Sequence, residues 1–403
     1  MTTRALPSVV SFATRLESGG NNIDLLRLSG AVVVLFVHSF VLTGVPGDEP
    51  TAILFGHGTD LGTLVVGMFF VFSGFLVTRS ALRLRFPDYA RARVLRLYPA
   101  LVMLLLLQTF ALGAAMTTLP PRAYIADFET WRALLSGLLL SPPLGLPGLF
   151  PDTPVPFAVN GSLWTLRFEA AFWAMLAVLA PLGLLGRRGT LLLFALATAG
   201  VLPAAGQGLK AMTIASYLAD FLAGAALYAW RDAIPHRPAL ATLAAFLLFV
   251  GCWTPAAPLA ICLTLPYCVM YLGLTRPVLR LPDDISYGAY LYAFPIQQTL
   301  VALLDRSLGP WSLTVFSLPP TIICGILSRR LIEHSTQRHH RAHGDYPRTG
   351  VVRLREEGSE LPGAGRRVYE TAATPARSRQ VRRAWSRTAR YWSAVRRCRR
   401  SWK

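Results

Sequence analysis

Charge is scarce in this chain of 403 residues: Asp, Glu, Lys and Arg make up only 15% of it, with 21 acids against 40 bases. With 53% of residues hydrophobic and a mean hydropathy of +0.44, the composition excludes an ordinary soluble domain. The N-terminal 22 residues lack a continuous apolar run followed by a small-residue cleavage site, so no cleavable signal peptide is expected and the first span serves as an uncleaved signal. Regular cysteine spacing is also missing. The five cysteines form no CxxC or other pair, which argues against a metal site and a disulfide framework and leaves them as small core residues. No repeat relates the two halves, whereas transporters often carry one.

What the chain does have is apolar blocks of a length that suits a bilayer, since a span needs about 20 mostly apolar residues. The pattern predicts an all-α, polytopic membrane protein with about ten spans, near 23–43, 61–80, 97–117, 161–185, 190–205, 212–230, 239–254, 257–274, 286–305 and 311–329. Basic residues near the span ends set the orientation. With a cytoplasmic N-terminus, sixteen arginines fall on inner segments, and only Arg122, Arg132, Lys210 and Arg306 fall outside. Both termini are therefore expected in the cytoplasm, and the protein in the cell membrane. Three regions follow: a cytoplasmic segment 1–22, a transmembrane domain 23–333 and a basic tail 334–403.

That tail carries most of the net charge of +19: from Ser335 onward there are seventeen Arg and one Lys against five acids. Anionic headgroups lie beside it and attract basic clusters by about 1 kcal/mol per charge. With Trp385, Tyr391, Trp392 and Trp402 set among the arginines, membrane association or plain disorder is expected, and nucleic-acid binding is not.

Within the first span, Arg27 and His38 are eleven positions apart, three helical turns plus roughly 20°, so they share a face roughly 16 Å apart along the axis. An arginine at depth costs roughly 2.5 to 3.5 kcal/mol, which makes the pair a candidate site. The plainer reading is that Arg27 snorkels to the headgroups and His38 satisfies a neighbouring helix. Four further patches stand out. Gly67 to Leu76 holds Ser73 between glycines suited to close packing. The cytoplasmic loop Arg79 to Arg96 crowds Arg91, Arg93 and Arg96 before Tyr98-Pro99, as a phosphorylated ligand or a topology signal requires. Asn160 to Glu169 offers Asn160 or Ser162 as a cap, Trp164 for an aromatic belt, and a carboxylate, Glu169, that needs a partner such as Arg167 or a base on another helix. Ile285 to Pro295 opens the ninth span with Ser286, Tyr287, Tyr290 and Tyr292 and ends in a proline suited to a kink.

Taken in order, these patches resemble the membrane-bound acyltransferase 3 family of O-acyltransferases, over about Asn22 to Glu333. Arg27 and His38 match its arginine, ten residues, histidine signature; Phe69 to Leu76 match its SGF segment; Arg91, Arg93, Arg96 and Pro99 its arginine-rich motif; Trp164 and Glu169 its central motif; Ser286 to Tyr292 its SYG-x-YL-Y segment; and Glu333 its terminal glutamate. Two positions depart: Ala293, often histidine in relatives, and Thr165, usually serine. The first departure concentrates the chemistry on His38.

The resemblance implies acyl-coenzyme A, with acetyl the commonest group, as co-substrate and no permanently bound cofactor or metal. It implies a hydroxyl acceptor on a glycan, lipid-linked sugar or small molecule. His38 is then expected as general base, Arg27 to hold a donor phosphate or stabilise the oxyanion, and Glu169 to orient the reacting groups. Arg91, Arg93, Arg96 and Ser73 are expected at the donor, and Trp164, Ser286 and Tyr287 at the acceptor. A non-enzymatic carrier or flippase of a glycan or lipid precursor is the competing class.

Overall fold

The computed structural model describes residues 10–56, 59–141, 145–279, 281–304 and 308–333; the basic tail 334–403, Arg4, Arg280 and Arg306 lie outside them. The described residues are helical and contain no strand, only two isolated bridges, Ser11 with Pro235 and Thr117 with Leu149. In chain order the helices are α1 (Phe12–Glu17), α2 (Ile23–Leu42), α3 (Pro50–Leu54), α4 (Leu61–Arg83), α5 (Phe86–Leu106), α6 (Gly113–Met116), α7 (Pro121–Ala126), α8 (Phe128–Leu138), α9 (Leu166–Leu179), α10 (Arg187–Ala199), α11 (Val201–Ala205), α12 (Leu209–Ala229), α13 (Pro238–Cys252), α14 (Ala257–Leu274), α15 (Ser286–Leu303) and α16 (Pro310–Leu327). A π-helical stretch, Leu107–Leu112, joins α5 to α6, another, Ser328–Glu333, extends α16, and a 3-10 turn, Gly161–Thr165, leads into α9.

Eight of these helical segments are long and apolar enough to cross a membrane, and helices also occupy the other two expected spans. One is α13, whose 15 residues reach about 22 Å against a hydrocarbon core of about 30 Å. The other is α15, 18 residues carrying two glutamines and three tyrosines and mostly buried by its neighbours. The side-chain N–H groups of its glutamines bond to protein: Gln297 donates to the Leu35 carbonyl and the Ser39 hydroxyl, and Gln298 to the Thr153 hydroxyl and the Val155 carbonyl.

One expectation needs correcting. Arg79 to Arg96 is not a loop, because α4 runs through Arg83 and α5 starts at Phe86, so that Arg91, Arg93 and Arg96 stand on helical turns. Pro87 in the first turn, preset for helical φ and needing no N–H bond there, and Asp88 beside the helix N-terminus explain the early start.

Helix α4 forms the centre of the bundle and packs along α12. A Cβ on Gly74 would lie only 1.9 Å from the Phe221 carbonyl oxygen, and one on Gly224 2.2 Å from that of Val71, so the two backbones touch where side chains are absent. Away from this seam, Phe69, Ser73 and Leu76 of the same helix line a cavity.

Candidate active site

The site is built where α2, α4, α5, α9 and α15 converge. Pro295 has no N–H to offer the carbonyl four residues earlier, that of Leu291, and the Asn160 side chain supplies the missing donor at 3.0 Å. Asn160 Oδ1 also accepts from the Ser162 amide, so of the two predicted caps it is Asn160 that opens the 3-10 turn. The Tyr290 hydroxyl then donates to the Ser162 carbonyl at 2.7 Å and pairs with the Thr165 hydroxyl at 2.9 Å. These bonds pin the start of α9 against α15 and set Glu169 inside the bundle.

Between these helices lies a cavity with about 140 Å³ of room for water-sized molecules. Three arginines, Arg27, Arg93 and Arg96, line it together with Ser73, Glu169, Ser286, Tyr287, Thr165, Tyr290 and Trp173 and the apolar walls Phe69, Phe70, Phe72, Leu76 and Leu97. At its centre the Trp173 indole N–H donates to Ser73 Oγ at 2.8 Å, and the hydroxyl lies 3.5 Å from Glu169 Oε1. Glu169 therefore has its polar neighbour on another helix; the guanidinium of Arg167 instead lies over the adjacent Phe168 ring, 4.7 Å from its centroid. Arg93 stacks over Trp173 at 5.3 Å, and Tyr287 donates to the Leu97 carbonyl at 2.9 Å.

The arginine-rich end is held by Glu333, the terminal glutamate of the sequence pattern, and by two acids that the sequence reading did not single out, Asp283 and Asp284. Asp284 Oδ2 accepts from Arg27 at 2.5 Å and Arg96 at 2.8 Å. Arg96 lies 3.5 Å from Glu333, Glu333 is 3.2 Å from Arg329, and Arg329 is 3.7 Å from Asp283. Two guanidinium nitrogens that share one oxygen are about 5 Å apart, where like charges at an effective dielectric near 20 repel by about 3 kcal/mol. The intervening carboxylate offsets this. Burial by itself would raise the Asp284 carboxyl, but Arg27 and Arg96, then the Ser286 hydroxyl and amide, outweigh burial and hold it well below the usual carboxylate range. The available clue was the acid pair Asp283-Asp284 immediately before the SYG segment.

Of the predicted residues, Arg27, Ser73, Arg93, Arg96, Glu169, Ser286 and Tyr287 share this cavity. Arg91 does not line it; it is exposed on the outer face of α5. Trp164 packs instead against Phe168 and Tyr217, in the aromatic cluster around Phe70. His38 also lies outside the lining. Its ring is half-buried and edge-on to Phe294, with centroids 5.3 Å apart, and its buried Nδ1 has no hydrogen-bond partner. Phe294 follows the cavity residue Tyr290 by about one turn and packs over Gly161, where a Cβ would come within 2.7 Å of its ring.

A family model described as an acyltransferase domain matches residues 21–330, over three quarters of the chain and all five helices that form the cavity. The chain belongs to this acyltransferase family. An O-acetyl transferase of Shigella phage Sf6 is 26% identical over 354 residues, covering 78% of this chain and 95% of the relative. Nodulation protein 10 of Rhizobium leguminosarum bv. viciae is 27% identical over 350 residues, covering 78% and 92%. No solved structure matches the chain. As a family member the chain needs an acyl donor and a hydroxyl acceptor, and its apolar helices mark it as a membrane protein.

Proposed function

We propose that this membrane acyltransferase moves an acyl group, acetyl in the simplest case, from cytoplasmic acyl-coenzyme A to a hydroxyl of an extracytoplasmic glycan or lipid-linked sugar. The observation that carries this reading is the cavity itself, in which Arg27 and Arg96 meet at Asp284 and Arg93 lies over Trp173 beside the Ser73 hydroxyl and the Glu169 carboxylate, among aromatic walls. Guanidinium groups are matched to phosphates by their planar, bidentate geometry, and a donor with a charged head and a long thin arm suits a pocket that combines arginines with apolar walls. The name of the phage relative supports O-acetyl transfer.

In this reading the acceptor oxygen attacks the thioester carbonyl, the C–O bond forms, the C–S bond breaks, and coenzyme A leaves as the thiol. His38 takes the proton from the acceptor hydroxyl and returns it to the departing sulfur, which suits an imidazole whose ordinary pKa is about 6.5. Its unpartnered Nδ1 is consistent with that role. Phe294 lies edge-on to the ring, between it and the turn of α15 that lines the cavity at Tyr290. Arg27, about 16 Å back along α2, holds a donor phosphate, and Glu169 orients the reacting groups.

The test uses purified protein in lipid discs, with acetyl-coenzyme A, an extract of surface glycans and a thiol-detecting reagent. His38→Ala and Arg27→Ala proteins that reach the membrane at normal levels are expected to lose roughly 100-fold or more in turnover. Full activity in either removes that residue from the mechanism, and a carrier would consume no acetyl-coenzyme A at all. Mass spectrometry of glycans and lipids from cells with and without the protein then names acceptor and acyl group together.

A further inference from the structure

We propose that Asp284 is a positioning residue for donor binding, whose carboxylate brings Arg27 and Arg96 together into a two-arginine fork for the phosphates of acyl-coenzyme A. The inference rests on the donor reading above.

Asp284 has an anchor of its own, separate from the arginines. Its Oδ1 accepts from the Ser286 amide at 3.1 Å and from the Ser286 hydroxyl at 2.5 Å, which ties the carboxylate to the first turn of α15. The other oxygen, Oδ2, is left for Arg27 and Arg96, which approach from two helices that make little direct contact with each other, while α15 packs against both. Glu169 also attracts both arginines, but among the described residues Asp284 is the carboxylate that hydrogen-bonds to both. Behind Arg96 the buried Glu333 carboxylate backs its second nitrogen, and Arg329 continues from Glu333 to Asp283, the neighbour of Asp284. The chain of alternating charges thus returns to its own starting point. Both guanidiniums also line the cavity, where the N–H groups not given to the carboxylates can take phosphate oxygens.

A different role would have the opposite sign. If Asp284 were a counter-ion that the incoming phosphate must displace, removing its charge would tighten donor binding. The anchoring by Ser286 argues for a support that stays in place.

Coenzyme A binding to the full chain in lipid discs, measured by titration calorimetry, separates these cases. The wild-type protein binds. Asp284→Asn is expected to weaken binding roughly 30-fold or more, the range for stripping one partner from a buried charge pair. Asp284→Glu recovers part of the loss and unfolds near the wild-type temperature, whereas Asp284→Asn, which leaves two guanidiniums without their shared carboxylate, unfolds at a lower one. Unchanged or tighter binding by Asp284→Asn overturns the inference, and so does an equal loss in Asp284→Glu. If Asp284→Asn does not accumulate, Ser286→Ala, which keeps every charge and the amide bond to Oδ1 but removes the hydroxyl bond to it, is expected to weaken binding roughly three- to tenfold; no change there overturns the inference. A wild-type protein that fails to bind coenzyme A sinks the donor reading itself, and this inference with it.

Discussion

Ser73 shows how a single hydroxyl acquires several jobs. It is set at mid-height of α4, accepts from the Trp173 indole and faces Glu169, so it joins two helices and lines the cavity at once. A serine nucleophile needs an adjacent base to activate it, and a carboxylate 3.5 Å away is the nearest candidate. Direct transfer with His38 as base makes a different demand, for Ser73 only positions its neighbours. Ser73→Ala is accordingly expected to lower turnover by less than about tenfold, with no acyl-protein trapped in rapid-quench mass spectrometry. A complete loss, or an acylated peptide containing Ser73, would establish the two-step route. Asp284 makes the contrasting case: it carries no chemistry of its own, yet two of the cavity's three arginines depend on it for their placement.

Among the helices, α4 and α12 form the tightest seam, and the reason is chemical: in a lipid environment helices gain little from hiding apolar surface, so close backbone contact and dispersion must hold them together. Gly74 and Gly224 supply that contact by leaving out side chains where carbonyls of the partner sit. Gly74→Ala is expected to push the helices apart and lower stability by about 1–3 kcal/mol or more, as overpacking does, read as a drop in unfolding temperature in detergent. Because the cavity hangs on the opposite side of α4, donor affinity should fall with it. An unchanged melting temperature would mean that the seam yields without cost. The π-helical stretches after α5 and α16 bracket other points of departure from regular helix, and the second of them carries Glu333 and Arg329 into the ion chain.

For the whole molecule, orientation decides the chemistry, since donor and acceptor are expected on opposite sides of the membrane. From the bias of basic residues, the arginines of the cavity are expected on the cytoplasmic side. In a background without native cysteines, Gly47→Cys is expected to react with a membrane-impermeant maleimide added to intact cells, and Arg188→Cys only after the cells are opened. Both positions lie outside the packed core: a Cβ on Gly47 meets nothing within 4 Å, and Arg188 is exposed. The reverse labelling pattern would invert the bundle and place the arginines on the side where acyl-coenzyme A is absent.

Much of this architecture is legible in the chain alone, because its strongest signals are local. Apolar runs of bilayer length mark the helices, and an arginine and a histidine eleven residues apart mark a face whatever surrounds it. Positions set by long-range contact are not legible in that way. Which carboxylate meets Arg27 depends on α15 lying against α2, and residues 27 and 284 are brought together only by that packing. The same holds for the partner of Glu169, a serine 96 positions earlier rather than the neighbouring Arg167, and for Trp164, turned into an aromatic cluster instead of the cavity. Composition and periodicity determined that the chain is a helical membrane protein with charge in its interior. Only the tertiary structure decided how that charge is paired, because a buried ion finds its counter-ion by proximity in space, to which sequence distance is no guide.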